Sequence, residues 1–185
     1  NRETHKRVFM TPVTTIEKPS QAPNEAGVHT CPGALGGVEW NGLAYDAKTR
    51  QVVVGSVDRC SIVKSGEVKF VPGQFLFGGS YEFESAGTGW VHALDPDSGA
   101  VRCKYHADAP VVPGMTPTAG GVTLTGDMAG NFLALDSATG AVLLKHPTGG
   151  AMAGGVITYA KDGRQYVAIA SGNTSSRLSF GENGQ

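Results

Sequence analysis

The chain has 185 residues, enough for about one domain, and carries 15 Lys and Arg against 16 Asp and Glu. This near balance of charge offers no basic surface, so nucleic acid is not an expected partner, and no apolar run approaches the ~18 residues of a membrane span. The 27 Gly and 10 Pro residues exclude long helices and favour short strands joined by turns.

The first predicted elements are a lone strand and a hairpin. The segment RVFMTPVTTIE, residues 7–17, predicts a strand whose partner is missing from the sequence. After CPGALGGVEW, residues 31–40, comes GLAYDAKTRQVVVGSVD, residues 42–58. Its apolar residues alternate on both sides of a turn, which predicts a β-hairpin.

A ten-residue motif then occurs twice, as HALDPDSGAV at residues 92–101 and as LALDSATGAV at residues 133–142. In both copies a strand leads into an Asp, whose carboxylate can accept backbone N–H bonds from the turn that follows. The Gly that ends the turn can take the positive φ that closes a hairpin. We therefore interpret Asp95 and Asp136 as structural turn residues.

LAYDAKTRQV, residues 43–52, is a third and degraded copy that has Arg50 where the others have Gly. Its Asp46 lies 49 residues before Asp95, which lies 41 residues before Asp136. A period of 40 to 50 residues with strand–turn–strand content is typical of β-propeller blades. Asp46 is accordingly interpreted as a third structural turn residue.

The remaining chain continues this pattern. Residues 120–136 and 154–172 predict two more hairpins, the second with its turn at Asp162-Gly163. Counting hairpins gives three to four blades, whereas closed propellers need at least four. We expect an all-β chain, a single partial β-propeller domain over residues 1–185 that is truncated at both ends.

The repeat A-L-D-x-x-x-G-x-V resembles that of the quinoprotein alcohol dehydrogenases, which depend on pyrroloquinoline quinone (PQQ) and form eight-bladed propellers. Residues 31–54, CPGALGGVEWNGLAYDAKTRQVVV, are similar to the family's Gly-Gly-x-x-Trp-x-x-x-Ala-Tyr stretch. Residues 110–172 are similar to its C-terminal blades. The resemblance covers about residues 8–180 and corresponds to the C-terminal part of the family's propeller domain.

The resemblance implies the cofactors and partners of such a dehydrogenase. PQQ would lie on the propeller axis with a calcium or lanthanide ion that polarises its carbonyl. A small alcohol or polyol would give hydride to the quinone, and a cytochrome c or a membrane quinone would take the electrons. The family's metal ligands and catalytic Asp lie in upstream blades, so we assign no catalytic and no metal-binding residue here.

Cofactor-binding candidates follow from the same resemblance. Where the family has an Asn-Trp pair beside the cofactor, this chain has Glu39 and Trp40. A carboxylate would repel the anionic cofactor unless it is protonated or paired, and Trp40 has packing between blades as its alternative role. Gly172 and Asn173 fall where the family again approaches the cofactor.

The family places a Trp after each repeat, where it packs between neighbouring blades. This chain has Cys103 and Leu144 in that region. Cysteine fills such a position as a small apolar residue, so the sequence predicts weaker contact between blades.

Two further cysteines, Cys31 and Cys60, flank the GGVEW segment and its hairpin. The two ends of a hairpin are close in space, so a disulfide is expected, with two buried thiols as the alternative. A disulfide suits an oxidising periplasm. The five His residues show no zinc-like spacing and are expected on the surface or in packing.

Two functions remain open from the sequence. The first is a C-terminal fragment of a PQQ-dependent alcohol or polyol dehydrogenase of the bacterial periplasm, a fragment that we expect to be inactive alone. The second is a non-catalytic scaffold of the bacterial envelope, a propeller that binds no cofactor. Glu39 in place of Asn, together with the missing docking Trp residues, favours the second.

Overall fold

In a computed structural model of the chain, residues 1–73, 76 and 78–172 are described. Over these residues the chain has no helix, and its strands form four sheets, which confirms the all-β class and the partial propeller. None of these residues therefore lies in a helix long and apolar enough to cross a membrane. In chain order the strands are β1 (Val28–Thr30), β2 (Leu43–Asp46), β3 (Gln51–Asp58), β4 (Ser61–Ser65), β5 (Gly79–Phe83), β6 (Thr88–Leu94), β7 (Val101–Ala107), β8 (Thr116–Pro117), β9 (Val122–Gly126), β10 (Asn131–Asp136), β11 (Val142–Pro147), β12 (Val156–Lys161) and β13 (Arg164–Ile169).

Two of the sheets are four-stranded antiparallel blades. Blade A has the order β2-β3-β6-β7, and blade B has the order β8-β9-β10-β11. The hairpin β12-β13 is the third sheet, and β1, β4 and β5 form a fourth, which we call the side sheet. The side sheet arises because residues 59–87 are inserted between two neighbouring strands of blade A, and the sequence count of three to four blades did not include it.

The sheets stack through alternating residues of β10. Leu133 and Leu135 pack with Val53 and Val91 of blade A in one buried cluster. Ala134, between them in sequence, belongs to a second cluster with residues of β9 and of the β12 hairpin. Because successive residues of a strand point to opposite faces, β10 contributes to the core on both sides of blade B.

The first strands of blade A, blade B and the last hairpin lie next to one another, at the inner edge of the stack. Strand β2 of blade A contacts β8 of blade B, and the Thr116 hydroxyl of β8 donates to the Val156 carbonyl of β12. The innermost strands of a propeller run side by side in this way around the axis. The ends of β2, β8 and β12 therefore mark the axial side of the molecule.

The three Asp residues of the repeat are turn residues, as the sequence predicts. Asp136 Oδ1 accepts the backbone N–H groups of Ala138 and Thr139 at 3.1 and 2.9 Å. Asp46 and Asp95 accept the equivalent bonds in their own turns. The backbone N–H of Ser98 and the guanidinium of Arg102 hold the pKa of Asp95 far below its usual range.

The predicted N-terminal strand is wrong, since residues 7–16 belong to no strand. The segment instead lies against blade A through side-chain bonds. The Thr11 hydroxyl donates to the Gly99 carbonyl at 2.7 Å, and the Ser56 hydroxyl donates to the Val13 carbonyl at 2.6 Å. Within the described part of the chain, no strand pairs with its backbone before Glu17, which forms an isolated bridge with Cys31.

Cys103 lies between the blades, in the position that the resemblance gives to the docking Trp. Its Sγ is 3.6 Å from the site that a Cβ at Gly140 would occupy. A gap surrounds it, lined among others by Val91, Tyr105 and Leu135. Leu144 is the equivalent residue of blade B: it lies opposite Ala134, as Cys103 lies opposite Ala93 in blade A. The Leu144 side chain is exposed.

Candidate functional site

Three loops lie at the inner edge of the sheets, each directly before an innermost strand. We call them the axial loops: residues 39–42 before β2, 112–115 before β8, and 148–155 before β12. The resemblance predicts cofactor contacts in the first of these loops. Their convergence brings chain segments more than a hundred residues apart in sequence to one end of the stack.

The side chain of Asn41 joins the three axial loops. Its Nδ2 donates to the carbonyl oxygens of Val112 and Ala153, both at 2.8 Å. The loops also meet directly, because the Gly114 amide donates to the Gly154 carbonyl at 3.3 Å. A single amide with both of its hydrogens bonded therefore fixes the loop that carries Trp40 relative to blade B and the hairpin.

Trp40 presents an indole face to the outside of the stack. It is 57% exposed, although its loop is closed by a bond from the Gly42 amide to the Glu39 carbonyl at 3.1 Å. This exposure shows that Trp40 is not packing between the described blades. A large aromatic side chain held out on a fixed loop offers a flat apolar surface for a ligand ring.

Glu39 has a partly buried carboxyl group. Its Oε1 is buried and has no hydrogen-bond partner among the described residues. Burial raises the pKa of Glu39, because removal from water disfavours the charged form. A neutral carboxyl group can donate a hydrogen bond, so Glu39 can bind a hydrogen-bond acceptor, including a second carboxylate.

Gly172, which follows β13, lies against the third axial loop. Its amide donates to the Ala151 carbonyl at 3.1 Å, and its Cα would be only 2.8 Å from a Cβ placed on Gly150. Gly172 is thus bonded to the same loop whose Ala153 carbonyl accepts a hydrogen bond from Asn41. Asn173, the fourth predicted residue, lies outside the described residues.

The structure joins Cys31 and Cys60, the two cysteines that the sequence analysis pairs, in a disulfide. The segment between Cys31 and Trp40 is further fixed to the start of the side sheet. The Gly33 amide donates to the Arg59 carbonyl at 2.8 Å, and the Ala34 amide donates to the Ser61 hydroxyl at 2.8 Å. This segment forms turns and no strand, so the hairpin begins only at Leu43.

Sequence reasoning missed Asn41, which follows Trp40 directly. The family stretch used for the resemblance leaves that position unspecified, and an Asn in a turn ordinarily bonds its own backbone. Its partners, Val112 and Ala153, are 71 and 112 residues away. The sequence did offer one signal for Asn41: it lies between Trp40, an expected site residue, and β2, an innermost strand.

No family model matches the chain. Among curated proteins, a quinoprotein ethanol dehydrogenase of Pseudomonas aeruginosa is 30% identical over 160 residues, which is 85% of this chain and 26% of that protein. A lanthanide-dependent methanol dehydrogenase of Methylorubrum extorquens is 29% identical over 175 residues, which is 92% of this chain and 29% of that protein.

Solved structures give the same result. A europium-containing methanol dehydrogenase superimposes with a TM-score of 0.70 and 28% identity, over 76% of this chain and 26% of that one. The chain spans about a quarter of the length of the relatives that it matches. By sequence and by fold, this chain belongs to the quinoprotein alcohol dehydrogenase family.

Proposed function

We propose that this chain is the C-terminal part of the propeller of a PQQ-dependent alcohol or polyol dehydrogenase of the bacterial periplasm. In this proposal the axial loops form one side of the cofactor site. The observation that carries it is the exposed indole of Trp40 on a loop that Asn41 fixes to two further loops.

The residues present fit one side of such a site. Trp40 offers a flat face for a planar ring system. Among the described residues, and apart from its chain neighbours, a Cβ at Gly155 or Gly172 would meet no atom within 4 Å, so these positions border open space. The raised pKa of Glu39 favours a neutral carboxyl group there, which can donate to a cofactor carboxylate instead of repelling it.

When bound, PQQ with its calcium or lanthanide ion supplies the hydride acceptor and the Lewis acid. The role of this chain would be to position the cofactor. Trp40 would cover one face of the ring, and Asn41 would hold the loop that carries it. Glu39, protonated, would donate a hydrogen bond to a carboxylate of the cofactor. We assign no catalytic residue and no ion ligand to the chain. We expect the electrons to pass to a cytochrome c or a membrane quinone.

A non-catalytic envelope scaffold is the competing function. The specific observation in its favour is that Glu39 stands where the family has Asn. A carboxylate that stays charged there would repel the anionic cofactor, whereas a scaffold would place no such demand on this position. The two functions differ in whether the full-length protein binds PQQ.

The test is an absorbance titration of the full-length protein with PQQ, with and without calcium. We expect tight, calcium-dependent binding that Trp40→Ala weakens by about tenfold, the loss expected for one aromatic contact of about 1.4 kcal/mol. Phe70→Ala, which removes another exposed aromatic side chain from the β4–β5 loop, is the control. Absence of PQQ binding would overturn the proposal and favour the scaffold.

The isolated 185-residue chain should oxidise no alcohol, even with PQQ and calcium, because most of the ring around the cofactor is missing. A dye-linked assay with ethanol and a polyol as substrates measures this directly. Turnover above the rate without protein would contradict the division of roles proposed here.

A further inference from the structure

The side sheet carries a group of side chains that the cofactor site does not use. The ligand atoms of His29, Cys31 and Cys60 lie within 4.8 Å of one another. Glu84 adds a carboxylate to this group. We propose that reduction of the Cys31–Cys60 disulfide converts the group into a Zn²⁺ site, with His29 and Glu84 completing the ligand set.

The distances around His29 suit a tetrahedral zinc ion. His29 Nε2 is 4.0 Å from Cys31 Sγ and 3.0 Å from Glu84 Oε2. With Zn–S bonds of about 2.3 Å and Zn–N bonds of about 2.0 Å, neighbouring ligand atoms of such an ion are roughly 3.2 to 3.8 Å apart. Small side-chain rotations bring both distances into that range.

Glu17 supports the orientation of the imidazole. Its Oε2 is 3.6 Å from His29 Nδ1, on the opposite side of the ring from Glu84. Histidines that bind metals usually donate their second N–H to a carboxylate in this way, which fixes the tautomer. The imidazole ligand therefore comes from β1 of the side sheet, and the group that orients it comes from Glu17, which bridges to Cys31.

The two cysteines remain neighbours without their covalent bond. Cys31 exchanges two backbone hydrogen bonds with Glu17, at 2.8 and 3.1 Å, and the Cys60 carbonyl accepts the Glu84 amide at 3.4 Å. None of these bonds involves sulfur, so they persist in the dithiol form. His29 and Cys60 are only half-buried, which leaves a path for a reductant and for the ion.

The reaction is balanced with a dithiol as the reductant. The dithiol gives two electrons and two protons, the S–S bond of the protein breaks, and the reductant becomes a cyclic disulfide. Zn²⁺ then displaces the two thiol protons, since thiolates are the ligands. The site thus binds no ion while the disulfide is intact and becomes able to bind one after reduction. This does not depend on whether the protein binds PQQ.

Co²⁺ is the probe, because a bound thiolate gives it a charge-transfer absorbance band. The chain is reduced with dithiothreitol, desalted without oxygen, and titrated. We expect the band to saturate at one equivalent and to disappear when Zn²⁺ displaces the cobalt. The oxidised chain, and the double variant Cys31→Ser with Cys60→Ser, should show no band.

Single variants show whether the folded site binds the ion. His29→Ala and Glu84→Gln should each weaken Co²⁺ binding at least tenfold, and Glu17→Gln should weaken it by about 10- to 100-fold. Glu82→Gln, on β5 and paired with Lys64, is the matched control and should change nothing. Circular dichroism reports whether the reduced chain keeps its sheets.

Two outcomes overturn the proposal. The first is a reduced chain that keeps its sheets and shows no thiolate–cobalt band. The second is a band that is unaffected by His29→Ala and Glu84→Gln, because the two thiols of an unfolded chain would then account for it. Neither outcome bears on PQQ binding, which is measured on different residues.

Discussion

At the scale of single residues, the third copy of the turn lacks the Gly that closes the other two. Gly99 and Gly140 have φ values of 73° and 74°, and Arg50, in the third copy, has a φ of 53°. A side chain in this left-handed region costs about 1 kcal/mol. The Arg50 carbonyl accepts a bond from Arg102, and that backbone contact does not depend on the Arg50 side chain.

We therefore expect Arg50→Gly to raise the free energy of unfolding by about 0.5 to 1 kcal/mol, measured by urea denaturation. The opposite change, Gly99→Ala, is the control. It should destabilise the chain, because its Cβ would collide with the ring of Phe9. An unchanged or lower stability of Arg50→Gly would show that the turn carries no strain.

The second prediction concerns Glu39 and the pH dependence of the free energy of unfolding. Because burial raises its folded-state pKa above the usual 4.5, its contribution to stability is fully present below pH 4.5. It is lost as the pH rises through the raised pKa, since the folded state must then hold a charge. Glu39→Gln removes this titration, so the stability difference between wild type and variant should shift against the wild type as the pH rises.

Urea unfolding of both proteins between pH 4 and pH 8 measures this difference. Glu67→Gln, in the exposed part of the β4–β5 loop, serves as the control and should follow the wild type throughout. A pH-independent difference for Glu39→Gln would mean that the carboxyl group titrates as it does in the unfolded chain.

Residue roles were predictable where the chain bonds to itself locally. Asp46, Asp95 and Asp136 each bond two to three residues ahead, so the motif alone indicates their function. Asn41 bonds across 71 and 112 residues, and nothing in its local sequence carries that information. The site prediction therefore named the indole and missed the amide that positions it.

At the scale of elements, the contact between blades depends on Cys103. The gap around it is lined by residues of both blades, such as Val53 and Thr123. A larger apolar side chain would fill it and would pack on the Gly140 turn. Because the gap has room for little more than one methyl group, we expect Cys103→Val to raise the free energy of unfolding by about 0.5 to 1 kcal/mol, a usual gain for filling a cavity.

Leu144→Ile, which also introduces a β-branched side chain, is the matched control for that change. Leu144 occupies the same register in blade B, but its side chain is exposed, with no described blade beyond it. It should therefore leave stability nearly unchanged. Thermal unfolding of both variants measures this, and equal shifts would show that the gap between the blades is not the cause.

The hairpins were predictable because their alternating residues and turns are adjacent in sequence. The side sheet was not, since β1 pairs with β4 in a register that joins Val28 to Val63. The same limit applies to the N-terminal segment. Its apolar residues predict a strand, but Phe9 and Thr11 are used to cover the Gly99 turn.

At the scale of the whole molecule, the last hairpin leaves an apolar face open. Tyr159 and Tyr166 lie opposite each other and stack, with ring centroids 5.5 Å apart. Ile157 lies on the same face and is 62% exposed. The opposite face of the hairpin holds Val156, which packs in the core with blade B.

A two-stranded sheet with an exposed apolar face is prone to associate with another copy of itself. We expect the isolated chain to associate in a concentration-dependent way, as measured by sedimentation velocity. Lysine at both Ile157 and Tyr159 should return it to the monomer, because two charges on one strand oppose burial of the face. Val68→Lys, in the exposed β4–β5 loop, is the control. If that variant abolished association and the double variant did not, the contact would lie in the loop and the hairpin face would be stable in water.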